Sequence, residues 1–253
     1  MPARTIFCPF CGLVDVRKFG KDRHGRQRYH CPDCDRTFGR RTRTVRSGSR
    51  LSEQDWRLAA RLFAARGGMS GADLARVLGY GRRTGQRLNR AFRHLAVALV
   101  PRSLPGATEW DEAMFSGQWV LGGVSRHTRQ CLLRTIDSRS ERTLTPLVER
   151  STDGESPIMT DEHGGYHRLL NHWTVCHSRE FVRKEARFVH TNTQEGIWGH
   201  AKELSRHTYR GFPKDSLPSF LAEFMFRYNL PNYAQRVSVL SALLARKINT
   251  DVV

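Results

Sequence analysis

The stretch TEWDEAMFSGQWVLGGVSR, residues 108–126, decides the fold. Its first part reads as a short strand ending at Asp111, and the apolar run Trp119–Val124 reads as a second strand following it. A carboxylate at the end of a buried strand costs free energy unless something binds it, so Asp111 asks for a reason. Working outward, QCLLRTIDSR (130–139) gives a third strand and ERTLTPLVER (141–150) a short helix. Pro157–Thr160 reads as a strand with Asp161 at its C-terminal end, and Gly164-Gly165 as a turn into a helix. WTVCHS (173–178) is a fifth strand, with Cys131 and Cys176 as buried thiols of these apolar segments. Strands first in hairpin order and then alternating with helices predict a mixed sheet with helices packed around it.

A further helix start, HTNTQEGIWGHAKE (190–203), follows. Glu195 and Lys202 lie seven residues apart within it, two turns along one face. Asp111 and Asp161 are separated by 50 residues, and Asp161 and Glu195 by 34. Carboxylates gathered in this way form an oxygen-ligand site for Mg²⁺ or a similar hard cation, suited to activating a water or hydroxyl at a phosphodiester. Glu112, Glu162 and Glu203 read as surface residues. His177 reads as a hydrogen-bonded histidine at the sheet end or one facing the site. In FLAEFMFRYN (220–229), Phe220, Leu221, Phe224 and Tyr228 fall at helical spacing and predict core packing, and the tail 237–253 reads as one more amphipathic helix.

The charge is unevenly spread. The chain carries a net +18 over 253 residues; residues 1–100 hold 22 basic and 7 acidic side chains, and the remainder holds 20 and 17. A polyanion-binding module of net +15 is thereby joined to a nearly balanced domain. Cys8, Cys11, Cys31 and Cys34 form two CxxC pairs, a four-thiolate spacing that predicts a closed, structural Zn²⁺ site. The basic segment between the pairs is expected to be a hairpin turning near His24-Gly25, and RTFGRRTRTVRSGSR (36–50) a basic linker.

In LSEQDWRLAARLFAARGG (51–68), Ser52 reads as a cap and Trp56, Ala59, Ala60 and Phe63 as one apolar stripe. Ser70 caps a second short helix. A third places Leu88, Ala91, Phe92, Leu95 and Leu99 on one side and Arg82, Arg83, Arg87, Arg90 and Arg93 largely off it. Three such helices with a tight turn at Gly79 predict a helix-turn-helix whose arginines reach the phosphates and base edges of double-stranded DNA. The expected domains are 1–48, 49–104 and 105–253, with Pro101, Pro105 and Gly106 marking the last boundary. The start of the chain lacks the apolar run of a secretory signal, no window is apolar enough to span a membrane, and a cytoplasmic location is expected.

The order of zinc ribbon, helix-turn-helix, WDEAMFSG, GGVSR, MTDEHGGY, VCHSREFV, HTNTQEGIWGHAKE and FLAEFMFRYN resembles the ISXO-type family of bacterial insertion-sequence transposases. The resemblance implies a ribonuclease H-like fold and a DDE-type site that cuts DNA and joins its 3′ ends to a target with Mg²⁺ or Mn²⁺. Asp111 and Asp161 match its two aspartates; Asn192 and Glu195 both stand at the third position, of which Glu195 is chosen; Lys202 matches a basic residue that holds DNA near the cut end. Its implied partners are element ends, target DNA and further copies of the chain, close to the nucleoid. Gln194 departs from the pattern, standing where an apolar residue is usual, and the segment between Asp111 and Val120 is short. The competing expectation is a decayed or repurposed transposase that only binds DNA.

Overall fold

The structure, a computed structural model, describes residues 6–175, 186 and 188–246. It divides into two compact units, Met1–Arg57 with Val239–Val253, and Leu58–Ser238.

The first unit contains a three-stranded antiparallel sheet, β1 (Arg17–Lys21), β2 (Gln27–Cys31) and β3 (Arg36–Gly39). Asp22 makes the expected hairpin turn by accepting from the backbone N–H groups of His24 and Arg26. The third strand corrects the reading of residues 36–50 as a linker. Phe38 is buried beside Tyr29, Cys8 and Cys31, so this strand completes the small core around the cysteines. The segment after it is also fixed, because Arg46 pairs with Glu53 at 2.7 Å. Helix α1 (Glu53–Phe63) begins at Ser52, whose hydroxyl accepts from the Asp55 N–H while the Asp55 carboxylate accepts from the Ser52 N–H, a reciprocal capping arrangement.

In the second unit, α2 (Gly71–Leu78) and α3 (Arg82–Val97) form the expected pair of helices, with Ser70 capping α2 and Gly79 ending it in the left-handed region. Leu99 lies beyond the end of α3. The crossing depends on Gly85: a Cβ there would stand 1.9 Å from the Gly71 carbonyl oxygen and 2.7 Å from Ala75. Arg82, Arg83, Arg87 and Arg90 are exposed. Arg93, grouped with them by sequence, is instead buried and pairs with Glu223 at 2.6 Å, because its position on α3 faces another helix rather than solvent.

The larger sheet has the order β6-β5-β4-β7-β8, with β4 (Thr108–Phe115), β5 (Gln118–Ser125) and β6 (Cys131–Ile136) antiparallel and β7 (Ile158–Asp161) and β8 (His172–Val175) parallel to β4. Cys176 and His177 lie outside the described residues. Between β6 and β7 runs α4 (Glu141–Glu149), and the sheet is followed by α5 (Asn192–Tyr209), α6 (Leu217–Asn229) and α7 (Tyr233–Leu244). Gly164-Gly165 opens a single 3-10 turn, Gly164–Tyr166, rather than a helix.

Asp111 is not at a strand end as expected. The two-residue turn Ser116-Gly117, both at positive φ, closes a tight hairpin that carries β4 on to Phe115. The glycines of GGVSR serve one face each. Gly122, paired with Asp111, leaves room for Gln194 and Trp198, and Gly123, paired with Trp110, lets the Trp110 ring lie over the strand.

The core gathers Trp110, Val120, Leu121, Leu132, Leu144, Tyr166, Ile197, Phe220 and Phe224. Leu104 belongs to it as well, so the chain is already packed one residue before the predicted 104/105 boundary. Phe63 stacks on Phe92 and Phe226, and Glu223 joins Arg93, Arg227 and the Tyr209 hydroxyl, so α3 is tied to α6 and to the end of α5. Gly85→Ala is expected to lower stability by about 2 kcal/mol or more, because backbone rather than a flexible side chain must move. Urea denaturation checks this, with the exposed Arg82→Ala as a control expected to stay within about 0.5 kcal/mol of the parent.

Candidate functional site

Strands β4 and β7 pair in parallel with Thr108 opposite Ile158 and Glu109 opposite Met159. This offset of 50 residues is the interval between Asp111 and Asp161, so the two aspartates occupy the next in-phase positions on one face. The recorded β4–β7 pairing ends at Glu109, which makes Asp111 mid-strand toward β5 yet beyond the end of its pairing toward β7. Both aspartates thus stand at the carboxyl end of a parallel strand pair, the end at which open α/β sheets bind ligands.

The same face of β4 is covered by α5. Trp198 Nε1 donates to Asp111 Oδ2 at 2.9 Å, and Asp111 Oδ1 accepts from the Glu112 N–H at 2.8 Å. Asp161 accepts from the His163 N–H at 3.0 Å. Burial raises the Asp111 pKa to about 6, with the charges of Asp161 and, less strongly, Glu195 adding to the rise. Glu195 is exposed in the first turn of α5 and lies within electrostatic reach of Asp111. Asn192 is also exposed in that turn, and Lys202 is exposed two turns after Glu195. Asp111 thus feels the charges of both Asp161 and Glu195, although the three carboxylates do not converge to within 4.8 Å of one another.

Two further acids lie beside the site. Glu112, expected at the surface, has a side chain only 2% exposed. It points to the opposite face of β4, where the Tyr166 hydroxyl donates to it and Arg139 lies 3.8 Å away. Burial raises its pKa to about 7; the Tyr166 hydrogen bond opposes this, and Asp161 and Asp111 add to it. Glu109, not singled out by sequence, is fully buried. It accepts from the backbone N–H groups of Thr193 and Gln194, from the Thr193 hydroxyl and from Arg126. Its spacing of two from Asp111 places both on one strand face, a signal available in the sequence.

Among the described residues, no ion pair joins Asp111 or Asp161 to a basic side chain. Partly buried hard oxygens that have no basic partner among the described residues fit a divalent cation. Their oxygens are more spread than the thiols of the first unit. Cys8, Cys11, Cys31 and Cys34 are, among the described residues, the one group of three or more potential ligands whose donor atoms all lie within 4.8 Å of one another. Their Sγ atoms approach to 3.6 Å (Cys8 and Cys34) and 3.5 Å (Cys11 and Cys31). A tetrahedron of thiolates at ~2.3 Å from a metal has an edge of about 3.8 Å, so these four fit one ion.

Residues 111–229 match the family described as ISXO2-like transposase domain. Among curated proteins, none matches the chain. Among solved structures, the catalytic core domain of BIV integrase is similar at 8% identity and a TM-score of 0.32, over 47% of this chain and 80% of that one. Among the described residues no helix is long and apolar enough to cross a membrane.

The raised carboxyl pKa values set a pH dependence. The folded values of about 6 for Asp111 and about 7 for Glu112 exceed the ordinary 3.8 and 4.5, so the fold favours the protonated forms. The resulting stability is fully present below pH ~4 and is lost as pH rises through about 6 and 7. Metal-free Asp111→Asn is expected to be more stable than the parent by roughly 1–2 kcal/mol at pH 8 and equal to it at pH 4. Urea denaturation in chelator at the two pH values checks this, and a difference that does not grow with pH contradicts it.

Proposed function

We propose, from the match of residues 111–229 to the ISXO2-like transposase domain, that the chain is a DNA transposase. It binds the terminal inverted repeats of an insertion sequence, cuts DNA in a metal-dependent reaction and transfers the strand. The observation that carries this reading is the in-phase placement of Asp111 and Asp161 on adjacent parallel strands, with the charge of Glu195 acting on Asp111. The strand order β6-β5-β4-β7-β8, three antiparallel strands continued by two parallel ones, supports reading the domain as ribonuclease H-like.

Asp111, Asp161 and Glu195 would hold Mg²⁺ or Mn²⁺. Glu195 is preferred over Asn192 as the third ligand because a carboxylate adds a full charge to the site and its charge reaches Asp111. When bound there, the cation neutralises the phosphodiester and lowers the pKa of the attacking water or 3′-hydroxyl. The chain's own groups do the rest. Trp198 and the Glu112 N–H each hold one oxygen of Asp111, which orients the carboxylate while each oxygen keeps a further lone pair for a ligand. Lys202 contributes a positive charge that attracts the DNA strand. Gly199 lies between Glu195 and Lys202 on the same face of α5, and a Cβ added there meets nothing within 4 Å. The fold does not require this glycine, and its absence of a side chain suits close approach of a DNA backbone.

Arg82, Arg83, Arg87 and Arg90 on α3 are the proposed contacts to double-stranded DNA, and Cys8, Cys11, Cys31 and Cys34 the ligands of a structural Zn²⁺. The domain assignment 1–48, 49–104 and 105–253 is retained as a functional division into ribbon, DNA-recognition module and catalytic domain. The protein is proposed to act as an oligomer on paired ends, in the cytoplasm at the nucleoid.

Asp161→Asn is expected to reduce Mg²⁺- or Mn²⁺-dependent cleavage of element ends at least about 100-fold while binding to those ends is kept, since only the metal site is altered. Retained cleavage in this variant would favour a protein that only binds DNA. Arg82→Ala with Arg87→Ala is expected to weaken binding to the ends and to reduce the slope of log K against log salt by about 2, as gel shifts at several salt concentrations would measure. Removing zinc with a strong chelator is expected to unfold the ribbon, because metal binding supplies the folding free energy of so small a core. Loss of the β-sheet circular dichroism signal together with released zinc checks this.

A further inference from the structure

The proposed metal site leaves Glu109 without a role. Glu109 is a fully buried carboxylate two residues before Asp111, and Arg126 closes the GGVSR stretch at the other side of the same hairpin. We propose that Glu109, held by Arg126, is the positioning residue that sets the first turn of α5 and so aims Glu195 at Asp111 and Asp161. This rests on the metal-site reading above.

The cap of α5 carries the argument. Thr191 stands at the cap position but makes no side-chain cap hydrogen bond. Its hydroxyl instead donates to Glu195 Oε1, a long contact of 3.5 Å. The N–H groups that a local cap would satisfy are those of the second and third helical residues. Here Glu109 Oε2 accepts from both, at 2.8 Å from Thr193 N and 3.1 Å from Gln194 N, and Glu109 Oε1 accepts from the Thr193 hydroxyl at 2.9 Å. A residue 84 positions earlier in the chain thus performs the capping, and Thr191 is turned toward the candidate metal ligand. A negative charge at this end of the helix also suits its dipole.

Arg126 makes the clasp two-sided. Its Nε donates to Glu109 Oε1 at 2.8 Å, one terminal nitrogen donates to the His190 carbonyl at 2.8 Å, and the other to the Phe188 carbonyl. The His190 ring also lies 3.4 Å from Glu109. The segment leading into α5 and the first turn itself are therefore fixed to the root of the β4–β5 hairpin, where Glu109 pairs with Val124. Asp111 stands two residues further along the same strand. Both carboxylates are hung from one point, and a buried ion pair of this kind selects one arrangement over others rather than adding much stability.

The test is Mn²⁺ binding to the full chain, followed by electron paramagnetic resonance of free Mn²⁺, for the parent, Asp111→Asn and Glu109→Gln. Circular dichroism and thermal melting confirm that each is folded. Asp111→Asn is expected to lose Mn²⁺ binding at the site. Glu109→Gln is expected to bind it about 10- to 100-fold more weakly, as loss of a residue that orients a metal ligand does. Its cleavage is expected to recover toward the parent rate at saturating Mn²⁺, so that the effect appears in the metal concentration required more than in the maximal rate. A folded Glu109→Gln with parental Mn²⁺ affinity, beside an Asp111→Asn that has lost it, overturns the positioning role alone. Equal binding by all three proteins overturns the metal-site reading and this proposal with it. Should Glu109→Gln fail to fold, Thr193→Val removes one donor to Glu109 and is expected to weaken Mn²⁺ severalfold; unchanged affinity there overturns the proposal.

Discussion

The parallel pairing of β4 with β7 is the constraint on which the rest of the second unit depends. A strand pair admits no fractional register, and a slip by one residue turns every side chain to the other face. With Glu109 opposite Met159, Asp111 and Asp161 must emerge together on the α5 side. The tight Ser116-Gly117 hairpin fixes β5 against β4 in the same way, which places Gly122 beside Asp111 and opens the space that Trp198 and Gln194 fill. The helix bearing Glu195 can therefore approach the sheet only where glycine allows it.

Burial and charge pull against one another at this place. Asp111 is driven toward its protonated form by desolvation and by its acidic neighbours, while Trp198 and a backbone N–H partly offset this. A site that is unfavourable empty gains most from a cation, which is the usual relation between stability and function at carboxylate clusters. Gln194 illustrates the same tension. Its backbone N–H is satisfied by Glu109, yet neither side-chain polar atom has a partner among the described groups although the residue is fully buried. It stands where the family resemblance leads one to expect an apolar side chain, and nothing in the structure explains the substitution.

Helices α1 and α3 are joined to α5 and α6 by charge as well as by packing. Glu223 is fully buried and receives Arg93 from α3, Arg227 from its own helix and the Tyr209 hydroxyl from the end of α5. Arg227 in turn donates to the carbonyls of Phe63 and Ala65 at the end of α1. Removing one member of such a network leaves a buried charge unpaired, so the network resists relative motion of these helices more than it adds net stability. The exposed arginines of α3 and the carboxylates of the sheet accordingly belong to one compact unit.

Much of this was legible in the sequence, because it is encoded locally. The CxxC spacing, the Ser52 and Ser70 caps, the apolar stripe Trp56, Ala59, Ala60 and Phe63, and the strand segments follow from periodicity and turn chemistry between near neighbours. The 50-residue interval between Asp111 and Asp161 was also readable, and it equals the offset of the parallel pair β4–β7. What the sequence could not decide were the facts set by partners far along the chain. That Glu112 turns into the core toward Tyr166, that Arg93 meets Glu223, and that RTFG closes a sheet over the cysteines depend on residues 54, 130 and up to 31 positions away. Glu109 is the clearest case. Only the docking of α5 on β4 gives its buried carboxylate a helix terminus to cap, since the N–H groups it satisfies belong to a turn 84 residues later.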